Sequence, residues 1–110
     1  MVKLLKIIKS KNNDKKYDAY FLFDNGKEKK ISFGQRGARD FTLINDKSSK
    51  YYLPKLEDRK VVKTAYLRRH SKREDWNNPL TAGSLSRWII WDLPTFEGSI
   101  KKFKNKFKLN

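Results

Sequence analysis

His70, Glu74 and Asp75 are the residues of this 110-residue chain whose types and spacing come nearest to a reaction centre. His70 and Glu74 stand one helical turn apart with Asp75 adjacent, a set that can hold a divalent metal for hydrolysis of a phosphodiester. A working site needs more donors, and the chain has one His, no Cys and no second dispersed acidic motif. His70 therefore reads first as a helix residue bonded to a nearby backbone group or carboxylate. The Gly-bearing string GQRG has neither the Lys nor the Ser or Thr of a phosphate loop, and no nucleophile elbow is visible. No catalytic residue, bound metal or cofactor is expected.

The basic residues point elsewhere. Lys and Arg number 27 against 12 Asp and Glu, a formal charge of +15, and the excess divides almost evenly into +8 over residues 1–56 and +7 over 57–110. Such a surplus costs self-repulsion in the compact state, so it implies a polyanion or an acidic protein surface as partner. Three groups of side chains could meet it. Arg36 and Arg39 lie in a Gly-bearing loop, where little bulk blocks a phosphate, although the Gly residues can equally serve the backbone alone. Lys60, Lys63, Arg68, Arg69, Lys72 and Arg73 belong to a helical stretch. Arg68 and Lys72 share one face there and Arg69 and Arg73 another, a spacing that suits successive phosphates. Glu74 and Asp75 follow directly and could instead pair with the Arg side chains. Lys101, Lys104 and Lys108 lie on the polar side of a C-terminal helix that packs through its Phe residues. Tyr51 and Tyr52 could stack on bases, as could Trp76, whereas Trp88 and Trp91 are expected in the core.

These residues are carried by elements that the pattern predicts. Leu4 to Ile8 reads as a strand, Tyr17 to Phe23 as a second, and Lys27 to Phe33 as a third that returns after Asp24, Asn25 and Gly26. A three-residue loop with a Gly bulge would set Ile31 opposite Ala19 and Phe33 opposite Tyr17, gathering Ala19, Phe21, Phe23, Ile31 and Phe33 on one face. A two-residue turn would set Ile31 opposite Tyr20 and exchange the faces. The bulged loop is the preferred alternative. Gly34 to Thr42 reads as a loop and Leu43 to Leu56 as an exposed excursion. A helix is expected from Asp58, as cap, to about Arg73, with Val61, Val62, Ala65, Tyr66 and Arg69 or His70 on its inner face. A second should run from Pro79 to about Trp91, apolar on nearly every side except at Arg87, and be buried. A third starts at Thr95 as cap, with Glu97 in its first turn and Phe96, Ile100, Phe103 and Phe107 as its apolar stripe.

The expected fold class is α+β, one domain over residues 1–110, with a three-stranded antiparallel meander followed by three helices, the middle one buried. The length suits one core, and 15 aromatic residues offset a mean hydropathy of −0.88. Without Cys there is no disulfide framework or thiolate metal site. The opening run Met1 to Ile8 is interrupted by Lys3 and Lys6 and is a poor secretory signal, and no apolar run is long enough to span a bilayer.

The segments SFGQRGARDFT, YLRRHSKREDWNNPLTAGSLSRWIIWDLPT and SIKKFKNKF resemble an uncharacterised family of small basic proteins encoded by nucleocytoplasmic large DNA viruses. The most specific part is the series RH, EDW, P, TAG, RW and W from Arg69 to Trp91, and residues Lys47 to Leu56 depart from the pattern as an insertion. The resemblance implies a viral origin, with a place in the virion, host cytoplasm or viral factory, and assigns no residue a catalytic role. The leading expectation is a non-enzymatic, virion-associated structural protein that binds DNA or another polyanion without sequence specificity. The alternative is a minor capsid or cement protein directed at acidic capsid subunits, with the insertion and C-terminal helix as docking elements.

Overall fold

The computed structural model describes residues 2–109, so Met1 lies outside the described residues. Strands β1 (Lys3–Lys9), β2 (Lys15–Leu22) and β3 (Glu28–Gln35) form an antiparallel sheet in that order. The β2–β3 turn is the bulged loop. Gly26 takes φ +83°, its N–H donates to the Phe23 carbonyl at 2.9 Å, and the Phe23 N–H donates to the Lys27 carbonyl at 2.9 Å. Ala19 then faces Ile31 and Tyr17 faces Phe33. Ala19, Phe21 and Phe33 are fully buried, while Phe23 and Ile31 are half-buried.

Strand β1 carries an irregularity between Leu4 and Lys6. The slip changes the alternation of faces, so Leu4 and Ile7 both turn inward, opposite Phe21 and Ala19, while Leu5 and Ile8 stay exposed.

The stretch expected as a loop is more ordered than its composition suggests. β3 continues through Gly34, and a short helix α1 (Phe41–Ile44) follows, capped by Asp40. The segment after it is exposed to half-buried throughout, as expected of an excursion, but it is tied to the body of the fold. Ile44 is fully buried, Leu53 N–H donates to the Ile44 carbonyl, and Arg59 binds the Leu53 and Pro54 carbonyls and Asn45 Oδ1 at 2.7–3.0 Å. The segment from Lys47 to Leu56, expected as an insertion, is thus fastened at its return end.

Helix α2 (Leu56–Ser71) starts two residues before the expected cap, with Lys55 at the cap position, no side-chain cap bond, and Glu57 and Asp58 in the first turn. Its inward side is Val62, Lys63, Tyr66, Leu67 and His70; of the residues expected there, Val61 is 67% exposed and Ala65 and Arg69 are also exposed. Helix α3 (Ala82–Leu85) starts after Pro79, because Thr81 Oγ1 rather than Asn78 caps it, accepting from Ser84 N–H at 3.1 Å. Asn78 instead closes a local turn with Leu80 N–H. Helix α3 continues as a π turn, Ser86–Ile90. The wider turn aligns positions five apart, so Leu85, Ile89 and Ile90 are all buried together. Helix α4 (Phe96–Lys106) has Thr95 as its cap and buries Phe103, which meets Phe107 edge-on, while Phe96 stacks on Tyr17. The fold is α+β, a three-stranded sheet followed by helices, with the core between them.

A candidate anion-binding cleft beside a basic helix face

Many cations are consumed inside the protein. Lys16 Nζ lies 2.6 Å from Asp40 Oδ2, with both side chains largely buried. Arg36, expected at a phosphate, donates instead to the carbonyls of Ser10, Asn12 and Lys15 at 2.8–3.2 Å and closes the β1–β2 connection. Lys63, expected on the outer face of α2, turns inward. Its Nζ donates to the Asp92 carbonyl at 2.6 Å and sits over the Phe41 ring, and burial, opposed by the Asp92 charge, lowers its pKa. Arg87 lies between the Trp76 and Trp88 rings and bonds Asp92 Oδ1, and Lys102 reaches Asp92 Oδ2 at 2.9 Å off the hydrogen-bonding direction, an ionic contact. Sequence alone places neither Arg36 nor Lys63 in these roles, because their partners are backbone carbonyls distant along the chain.

The cations left over are not scattered at random. A cleft of about 370 Å³ opens between the sheet's β2 and β3, helix α2 and helix α3 with its π turn, and Lys15, Arg39 and Arg69 line it. None of the three side chains has a hydrogen bond or ion pair among the described residues. Each is presented by a fixed element. Arg39 precedes Asp40, whose buried carboxylate accepts from Leu43 N–H, Thr42 Oγ1 and Lys16 Nζ and so ties the loop to β2. Gly37, two residues before Arg39, takes φ +85°, a conformation that favours Gly. Arg69 stands one turn beyond Tyr66, whose ring stacks on Trp91 at 4.1 Å and an interplanar angle of 5°. Burial, with the negative charge of Glu74 next, raises the Tyr66 phenol well above its ordinary 10.0, so it stays protonated.

His70 and Glu74 also line the cleft. The His70 ring stacks on Tyr66 at 4.2 Å and its Nδ1 lies 3.3 Å from Glu74 Oε2, while Glu74 Oε1 accepts from Trp76 Nε1 at 3.0 Å. The expected pairing of His70 with a carboxylate is therefore present. Asp75 does not join them: its Oδ1 accepts from Asn77 N–H, and no group of three or more metal-binding side chains exists among the described residues.

A second, shallower hollow on α2 is lined by Lys60, Val61, Thr64, Ala65 and Arg68. Ala65 borders both hollows, so Lys60 and Arg68 continue into Arg69, Arg39 and Lys15 as one basic strip. Lys72 and Arg73 follow at the exposed C-terminal end of α2. Lys101, Lys104 and Lys108 line neither hollow; α4 packs on the π turn, and Lys108 has φ +55° just past the helix end. Of the aromatics considered for stacking, Tyr51 donates to the Gly37 carbonyl with Lys50 over its ring, Tyr52 is covered by Arg59, and Trp76 holds Glu74. Sequence reasoning does not place Lys15 or Glu74 with the other residues that line the cleft. Lys15 belongs to no motif, and the sequence offers Glu74 only as a metal ligand or Arg partner.

Among known proteins, residues 5–53 match a family of unknown function (DUF5754). The match covers the sheet from Leu5 onward, the Arg39 loop and most of the segment from Lys47 to Leu56, and stops before the Arg69 to Trp91 series. No curated protein and no solved structure is significantly similar to the chain.

Proposed function

We propose that this protein binds a polyanion, DNA first, through backbone phosphates and without reading base sequence, as a basic structural component of a large DNA virus particle. The observation that carries this reading is the strip of unpartnered cations from Lys60 and Arg68 through Arg69 to Arg39 and Lys15. Opposite charges next to a cation neutralise it before a phosphate can. Here the structural cations pair with Asp40 and Asp92, and Glu74, the carboxylate that lines the cleft, is held by His70 and Trp76 instead of by the cations of the strip. A row of cations suits contacts to phosphates, which position a protein on a duplex without carrying sequence information. The placement in a virion rests on the resemblance of the Arg69 to Trp91 series.

The test is binding to closed circular duplex DNA from about 50 to 300 mM salt, where each phosphate neutralised adds about −0.9 to the slope of log affinity against log salt. Replacing Lys60 and Arg68 together by Ala should flatten that slope by about 2, whereas replacing Lys101 and Lys104 should change it less. A flat slope in the unmodified protein would overturn the reading.

A second reading, a protein that links capsid subunits, draws on the apolar side chains left outside. Leu5 and Ile8 are 45% and 39% exposed on edge strand β1, which offers an unpaired strand edge. Replacing Leu5 and Ile8 by Lys would then abolish association with capsid subunits and leave DNA binding intact.

A further inference from the structure

Duplex DNA can use the rim of the cleft but not its interior. A space of about 370 Å³ has the scale of a small-molecule site, and its interior is not furnished for a polyanion alone. Two guanidiniums, Arg39 and Arg69, and the Lys15 ammonium supply forked and point-charge donors of the kind that hold a terminal phosphate with its three free oxygens. Beside them sits Glu74, a carboxylate that a surface built only for phosphates would exclude. Each of its oxygens accepts one N–H, from Trp76 and His70, and each keeps capacity for another donor. Gly83 makes room for it, since a Cβ there would lie 2.8 Å from Glu74 Cδ. The third component is aromatic. Trp91, Tyr66 and His70 form a stacked column with centroid spacings of 4.1 and 4.2 Å, and its outer member, His70, is 38% exposed and lines the cleft. A planar ring entering the cleft can extend the column.

We infer that the cleft is a binding site for a nucleoside phosphate monoester: the phosphate on Arg39, Arg69 and Lys15, the base against His70, and an exocyclic amino group of the base donating to Glu74. The ligand joins an anion, a flat ring and an N–H donor, the three things the cleft accommodates. Neither inorganic phosphate nor a nucleoside has all three. The inference goes beyond duplex binding and does not depend on it. The same chemistry has two sources, a free nucleotide or the 5′-phosphorylated end of a strand.

The test is titration of the full chain with AMP, followed calorimetrically and by Trp fluorescence, at about 300 mM salt so that binding to phosphates along a duplex is suppressed. One saturable site is expected, with adenosine and inorganic phosphate each at least about tenfold weaker, a difference of about 1.4 kcal/mol. Arg69→Ala and His70→Ala should each weaken AMP about tenfold or more, and Gly83→Ala, which pushes Glu74 aside, should weaken AMP more than UMP. Lys60→Ala and Arg68→Ala should weaken circular DNA and leave AMP unchanged, which separates failure of this inference from failure of the DNA reading. Competition by a 5′-phosphorylated single strand but not by its 5′-hydroxyl form assigns the site to strand ends; AMP binding without such competition assigns it to free nucleotides. No saturation in the unmodified protein up to about 5 mM AMP, or phosphate and adenosine binding as well as AMP, overturns the inference.

Discussion

Asp40 and Asp18 show how single buried carboxylates organise a chain dominated by positive charge. Asp40 is 1% exposed and accepts from Lys16 Nζ, Thr42 Oγ1 and Leu43 N–H, joining a strand, a loop and a helix end. Asp40→Ala strands the Lys16 ammonium in a largely buried site and removes the α1 cap. It should cost about 3–5 kcal/mol, read as a lowered urea midpoint. Asp18 is held by Ser32 Oγ at 2.6 Å, and that bond is the main reason its carboxyl lies below the ordinary 3.8. A depressed carboxyl contributes stability that is present above pH 3.8 and lost as pH falls through its lower folded value. Ser32→Ala should therefore cost about 1–2 kcal/mol at neutral pH, with the gap to the unmodified protein closing below pH 3.8, as measured by urea unfolding across pH. The sequence offers no sign of either carboxylate's role, because each is defined by a partner on another element.

At the scale of elements, the features read correctly from sequence are those decided within a few residues. The Asp24 to Gly26 turn fixed the β2–β3 register, and Thr95 capped α4, since both depend on local backbone geometry. The failures came where packing overrode local preference. Pro79 did not open α3, and Lys63 left the polar face of α2 for a carbonyl on another segment. The β1 irregularity likewise could not be read from LLKII, in which every phase leaves apolar side chains outside. Gly34 carries a prediction here. It has φ +79°, and a Cβ would meet Lys16 Cβ at 3.1 Å and Ile90 Cδ1 at 3.3 Å, whereas Gly37 at φ +85° has open space. Gly37→Ala should cost about 1–2 kcal/mol from the backbone alone. Gly34→Ala should cost more, because β2 and the π turn must also shift; thermal unfolding of the two variants checks the order.

For the whole molecule, the net charge has a direct consequence for stability. With +15 on 110 residues, repulsion opposes compaction, and added salt screens it. Raising NaCl from about 10 to 200 mM should increase Tm by several degrees, with ionic screening operating over about 7 Å at the upper end. The same salt would weaken the proposed DNA binding, so the protein's stability and its affinity for a polyanion should move in opposite directions. No helix among the described residues is long and apolar enough to cross a membrane. What the sequence determined by itself was the α+β class, the meander and the excess of cations, because composition, alternation and turn chemistry are local or additive properties. Which cations remain available was decided only by the tertiary structure. Lys16 meets Asp40 across 24 residues and Lys63 meets Asp92 across 29, and the cleft draws Lys15, Arg39 and Arg69 from three separate elements. A charge is neutralised by what lies within a few ångströms of it, and folding chooses those neighbours.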